Sequence, residues 1–104
     1  MNACSWVYIL ASGRNGTLYT GVTTKLTQRT WEHRTGQRPG FTDTYGVKTL
    51  VWYETHAYVG DAIKRETSIK RWRRGWKLAL IEANNPQWRD LYEDLFKVDG
   101  EPQL

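Results

Sequence analysis

Residues 6–22 read WVYILASGRNGTLYTGV. The run WVYILA is aromatic and β-branched, and it ends in SGRNG, a cluster of turn formers; TLYTGV then resumes β character. Two such runs on either side of one turn cluster are expected to pair as an antiparallel hairpin with a loop of about five or six residues. In that hairpin Tyr8 and Tyr19 can face one another.

Downstream, TTKLTQRTWEHR offers Thr23 or Thr24 as a helix N-cap and runs helically to Gly36. QRPGFTDTYG, 37–46, is loop-like, and KTLVWYET predicts a third strand over 48–55. A helix over 60–73 follows, with a break near Gly75 and a short helix over 76–83. NNPQW then opens a last helix through Phe96, with Pro86 in its first turn. The order β-β-α-β-α-α-α describes one α/β or α+β layer with three strands. The chain of 104 residues makes a single domain over 1–97, and the tail 98–104 is expected to be disordered.

One cysteine, Cys4, excludes an internal disulfide, and with two histidines it is too few for a structural zinc site. The longest apolar runs, WVYILA and LALIEA, are too short to span a bilayer, and no signal-like segment opens the chain. The expectation is a soluble, cytoplasmic protein. Fifteen basic residues against eleven acidic ones give a net charge of +4. The excess is focused: Lys64, Arg65, Lys70, Arg71, Arg73, Arg74 and Lys77 fall in one segment with a single acid, Glu66, and with Trp72 and Trp76 interleaved. Such a segment suits a polyanion, because each neutralised phosphate releases counterions. A solvated helix face and a core anchored by the tryptophans are the plain alternatives.

Glu66 is the odd residue of that helix. Ala62, Ile63, Ile69 and Trp72 make an apolar stripe at helical spacing, and Glu66 falls in it, although a polar face is available. An unpaired charge on a packed side costs several kcal/mol, so something must compensate it. A divalent cation would, since magnesium often takes one or two protein carboxylates and keeps several waters. An ion pair with Arg29 or a neighbouring base would serve equally.

Arg29 and His33, at i and i+4, share one face of the first helix. A guanidinium grips phosphate with two parallel hydrogen bonds, and an imidazole with a pKa of about 6.5 exchanges protons near neutrality. A phosphodiesterase needs such groups together with an activated water.

With these residues in place the chain resembles the GIY-YIG nuclease superfamily, above all its small stand-alone bacterial members. VYIL at 7–10 and LYTGV at 18–22 place two tyrosines eleven positions apart. They are followed in order by R..EHR, GFT..YG, LVWYE, A..RE..IK.W, K..LI and NP.W.DL. Val7, Leu10 and Thr20 depart from the letters of the family's motifs and remove no reactive group. The resemblance implies a central three-stranded antiparallel sheet flanked by helices. It also implies a magnesium- or manganese-dependent endonuclease that hydrolyses DNA phosphodiesters with one metal ion. Carried across, one of Tyr8 and Tyr19 activates or orients the attacking water, Arg29 would hold the scissile phosphate, and His33 would assist proton transfer. Glu66 ligates the metal, and Asn85, with Asn84 adjacent, matches the family asparagine.

A free tyrosine has a pKa near 10, so a phenolate at pH 7 lies uphill by roughly 4 kcal/mol. Either the site lowers that value or another group is the base. Relatives of this type act in repair, recombination, restriction or homing, usually through an added targeting domain, and none is expected here. Single-stranded, branched and duplex DNA all stay open as substrates, selected alone as a monomer or through a partner. The alternative function is a nucleic-acid-binding module that keeps the fold without catalysis.

Overall fold

The computed structural model describes residues 4–38 and 40–96. Strands β1 (Ser5–Ala11) and β2 (Leu18–Thr23) form the expected hairpin, closed by Ser12 N–H to the Thr17 carbonyl at 3.0 Å. Strand β3 (Thr49–His56) pairs antiparallel with the other side of β1, giving the order β2-β1-β3. The fold is therefore α+β, a three-stranded antiparallel sheet with helices on it.

Both faces of the sheet are covered. Val7, Ile9 and Ala11 point to one side and pack with Val51, Trp52, Ala62, Ile69, Ile81 and Trp88 under helices α3 (Val59–Arg71) and α4 (Arg74–Asn84). Tyr8 and Leu10 point to the other side, with Leu26, Val47 and Leu50. Two buried faces explain why β1 is apolar throughout rather than alternating. A bulge shifts the register so that Ile9 faces Trp52 while Leu10 faces Leu50. The extra residue lets Val51 and Trp52, though adjacent, both join the α3/α4 core.

Helix α1 (Leu26–Arg34) begins later than the sequence suggests. Thr23 does not cap it; its hydroxyl accepts from Lys25 N–H at 2.9 Å and makes the turn into the helix. The segment taken as loop contains a one-turn helix, α2 (Phe41–Thr44), too short to leave a periodic signal. The break before α4 lies at Trp72 and Arg73, whose ψ values of 151° and 156° are extended, while Gly75 sits inside the first turn of α4.

The last α-helix is not formed. Asn85 Oδ1 takes Arg89 N–H at 2.9 Å, and Trp88 adopts φ 57° with its indole donating to Glu82 at 2.7 Å. A left-handed residue there ends helical propagation despite the well-placed Pro86. Only a 3-10 turn, Tyr92–Phe96, follows. Asp90 holds that end down: its carboxylate accepts from Arg34 at 2.6 Å and from the backbone of Leu50 and Tyr92. The tail 98–104 lies outside the described residues. None of the helices among the described residues is long and apolar enough to cross a membrane.

Candidate active site

Tyr8, Tyr19 and His33 converge on the α1 side of the sheet. The tyrosines are not directly opposed: Tyr8 pairs with Gly21 and Tyr19 with Leu10, so the rings are diagonal neighbours with centroids 6.3 Å apart. Gly21 makes this possible. A Cβ there would lie 2.5 Å from the Tyr8 hydroxyl and 2.6 Å from the ring carbon bearing it, so only glycine leaves room for the phenol. Gly21 lies inside LYTGV, where the motif spacing gives no sign of this role.

His33 enters from α1. Its ring lies 5.5 Å from Tyr19 and 6.2 Å from Tyr8, with Nε2 3.4 Å from the Tyr8 hydroxyl. Nδ1 is 2.8 Å from the Thr42 hydroxyl, which α2 supplies. Thr42 is thus a second residue the sequence reading missed; GFT..YG marked its segment but not its contact. When Nδ1 donates to Thr42, the Nε2 lone pair faces the phenol as acceptor.

Burial pushes the His33 pKa down to about 4, with the charges of Arg38 and Arg29 adding to the effect and Glu32 opposing it. Burial also raises the Tyr8 phenol well above its ordinary value, helped by Tyr19, and Arg29 offsets only part of that. In this state both groups are neutral at pH 7, so the surroundings do not lower the Tyr8 pKa as a phenolate base would need. Arg38, a residue not singled out from the sequence, acts on Tyr8 and His33 and bonds Glu32 at 3.5 Å.

Arg29 is partly exposed, lies 3.4 Å from Glu32 and also interacts with the Tyr8 hydroxyl. With Tyr19 it forms the accessible layer of the cluster, and Tyr8 and His33 lie beneath. Phe41 and Tyr45, both exposed, stack at 4.8 Å, and Phe41 continues to Tyr19 at 6.3 Å.

Glu66 is inward, 13% exposed, and its compensation is an ion pair: Lys70 Nζ lies 2.6 Å from Oε2. The partner is Lys70, one turn along the same helix, rather than Arg29. Ile63, read as part of the apolar stripe, is instead exposed. Glu66 and Lys70 belong to α3, on the opposite face from Tyr19, yet the two sides meet at the open edge of β2. A groove there is lined by Leu18, Tyr19, Thr20, Phe41, Lys70 and Lys77. No group of three or more histidines, cysteines or acids forms a metal cage among the described residues. One inward carboxylate, paired here with a half-exposed ammonium, fits a hard ion that keeps most of its waters.

Asn85 is buried and fully occupied. Its amide N–H groups donate to the Val51 and Arg89 carbonyls at 3.1 and 2.8 Å, and its oxygen accepts from Arg89. No hydrogen bond or ring contact joins it to Tyr8, Tyr19 or His33 among the described residues; Asn84 is exposed.

The basic segment divides. Arg65 forks onto Glu54 at 3.0 and 3.1 Å and lies over the Trp72 ring, and Arg74 donates to the carbonyls of Asn15 and Gly16 at 2.8 Å. Arg73 covers Trp76 at 5.2 Å. Lys64 and Arg71, two turns apart on α3, have no side-chain partner among the described residues and are exposed. A concavity between Trp6, Leu26, Tyr53 and Leu95 is lined by neither His33 nor Tyr19, and by no acid or histidine among the described residues.

Comparison with known proteins bears on the family and the fold. The GIY-YIG catalytic domain matches residues 4–79, which include both tyrosines, Arg29, His33 and Glu66 but not Asn85. UPF0213 protein SH2523 of Staphylococcus haemolyticus is 35% identical over 77 residues, 74% of this chain and 93% of that one. UPF0213 protein DP2720 of Desulfotalea psychrophila is 29% identical over 98 residues, 93% and 89% of the two chains. The solution structure of UPF0213 protein BH0048 from Bacillus halodurans superposes with a TM-score of 0.52 at 27% identity, covering 92% of this chain and 97% of that one. The chain belongs to the GIY-YIG family, a nuclease superfamily.

Proposed function

We propose that the protein is an endonuclease that hydrolyses DNA phosphodiester bonds with one magnesium or manganese ion. The observation that carries this reading is the convergence of Tyr8, Tyr19 and His33 beside Arg29 in a chain of nuclease family. Arg29 grips the scissile phosphate, where a planar fork gives two hydrogen bonds. Tyr19, at the accessible layer, orients the phosphate or the attacking water. His33 Nε2, held as the acceptor by Thr42 at Nδ1, takes the proton that the attacking water gives up through the Tyr8 hydroxyl. Glu66 would hold the cation, which when bound would supply an acidified water and stabilise charge on the phosphoryl oxygens.

Lys64, Arg71 and Lys77 serve backbone phosphates, while Arg65 and Arg74 serve the fold that presents them. Asn85 supports the turn behind β3 rather than the chemistry. The experiment is cleavage of single-stranded, duplex and branched DNA by the intact chain in magnesium, manganese or EDTA. Cutting that requires the metal is expected. Binding of every DNA without cutting in either metal would favour a non-catalytic module.

A further inference from the structure

The Glu66 carboxylate is secluded, and a charge so placed must be neutralised. Lys70 supplies the charge at 2.6 Å, and the neighbouring Arg65 is committed to Glu54 by two hydrogen bonds. The Lys70 side chain is itself 51% exposed, so its flexible stem can carry the ammonium elsewhere. One place within its reach is the groove over the β2 edge, where Lys70 is already a wall together with Tyr19, Thr20, Phe41 and Lys77.

Resting on the reading of Glu66 as cation ligand, we propose that Lys70 is a resident cation on the Glu66 carboxylate, which the divalent ion displaces, and that the displaced ammonium then binds a DNA phosphate in the adjoining groove. An ammonium and a divalent ion repel when both contact one carboxylate, so the two compete for it. The released ammonium is the kind of group a phosphate attracts, and Lys77 stands in the same groove. Loading of metal thereby prepares the DNA site, and metal-free protein keeps Glu66 neutralised and folded.

The test uses manganese as the probe and the full chain without DNA, with free Mn2+ followed by electron paramagnetic resonance. Lys70→Met keeps the length of the stem and removes its charge. It is expected to bind Mn2+ roughly three- to tenfold more tightly than the native chain, in keeping with a partly exposed ion pair. Glu66→Gln is expected to lose that binding. In saturating Mn2+, Lys70→Met is also expected to need more DNA for half-maximal cleavage. A structural role for Lys70 would weaken both readouts together, whereas the exchange moves them in opposite directions.

Equal Mn2+ affinity in native protein and Lys70→Met, with binding lost in Glu66→Gln, overturns the exchange and leaves Glu66 as metal ligand. Tighter Mn2+ with an unchanged DNA requirement overturns the phosphate half. Mn2+ binding that ignores Glu66 overturns the metal reading and this one with it.

Discussion

The Tyr8 hydroxyl lies 3.4 Å from Nε2 of His33, so a strand and a helix meet through two buried polar rings. His33 is further fixed by Thr42 at Nδ1, which sets the direction in which the imidazole presents its lone pair. The pair joins the site's chemistry to its stability, because burying a neutral imidazole makes its protonation unfavourable.

That burial gives a pH dependence with a definite sign. The folded His33 pKa is about 4, below the unfolded value of about 6.5, so the unfolded chain binds the extra proton first. The His33 contribution is complete above pH 6.5 and is lost as pH falls toward 4, by about 3 kcal/mol at the full shift. Urea melts at pH 7 and pH 5 should show this fall in the native chain and a shallower one in His33→Gln. Parallel falls would refute the assignment to His33.

Gly21→Ala places a methyl against the Tyr8 phenol. The ring is packed and cannot swing aside, so overpacking should destabilise by about 1–3 kcal/mol and displace the hydroxyl from His33. Cleavage at a temperature where the variant stays folded should fall at least tenfold, while Gly60→Ala, where open space surrounds the new Cβ, should leave cleavage unchanged.

Asn85→Ala strands the Val51 and Arg89 groups that its amide satisfies. Each unsatisfied buried group costs about 1–3 kcal/mol, so a stability loss of about 3 kcal/mol is expected, read as a lower thermal midpoint. Cleavage by the folded fraction should be near native. A hundredfold loss of turnover in folded protein would instead make Asn85 part of the chemistry.

Lys64 and Arg71 should behave differently from Arg65. Replacing the first two with alanine should weaken DNA binding on all sequences and lower the salt slope by about two, with the thermal midpoint unchanged. Arg65→Ala breaks the fork with Glu54 and should lower the midpoint instead. Fluorescence anisotropy across a salt series, beside thermal melts, separates the two.

The parts of the fold legible in the sequence are those with long local signals. The β1–β2 hairpin, β3 and α3 emerge within a residue or two, because alternation, turn residues and helical spacing repeat over many positions. Helix α2 has one turn and no period to read, although it delivers Thr42 to His33. The last helix failed because its fate rests on contacts made at a distance: the Asn85 amide to Val51 and the Trp88 indole to Glu82 outweigh a favourable Pro86. At the site, Tyr8, Tyr19 and His33 are brought together as the motif spacing suggests. Spacing could not reveal that Glu66 pairs with Lys70, nor that Arg65 and Arg74 are taken up by Glu54 and by the hairpin loop.

The central claim is that Tyr8 and Glu66 act in hydrolysis rather than in holding DNA. Binding and single-turnover cleavage of one DNA in Mg2+, measured side by side for native chain, Tyr8→Phe and Glu66→Ala, test it most directly. Both variants are expected to bind DNA within about threefold of native while cleavage falls by about a hundredfold or more. Cleavage at the native rate in either folded variant would contradict it.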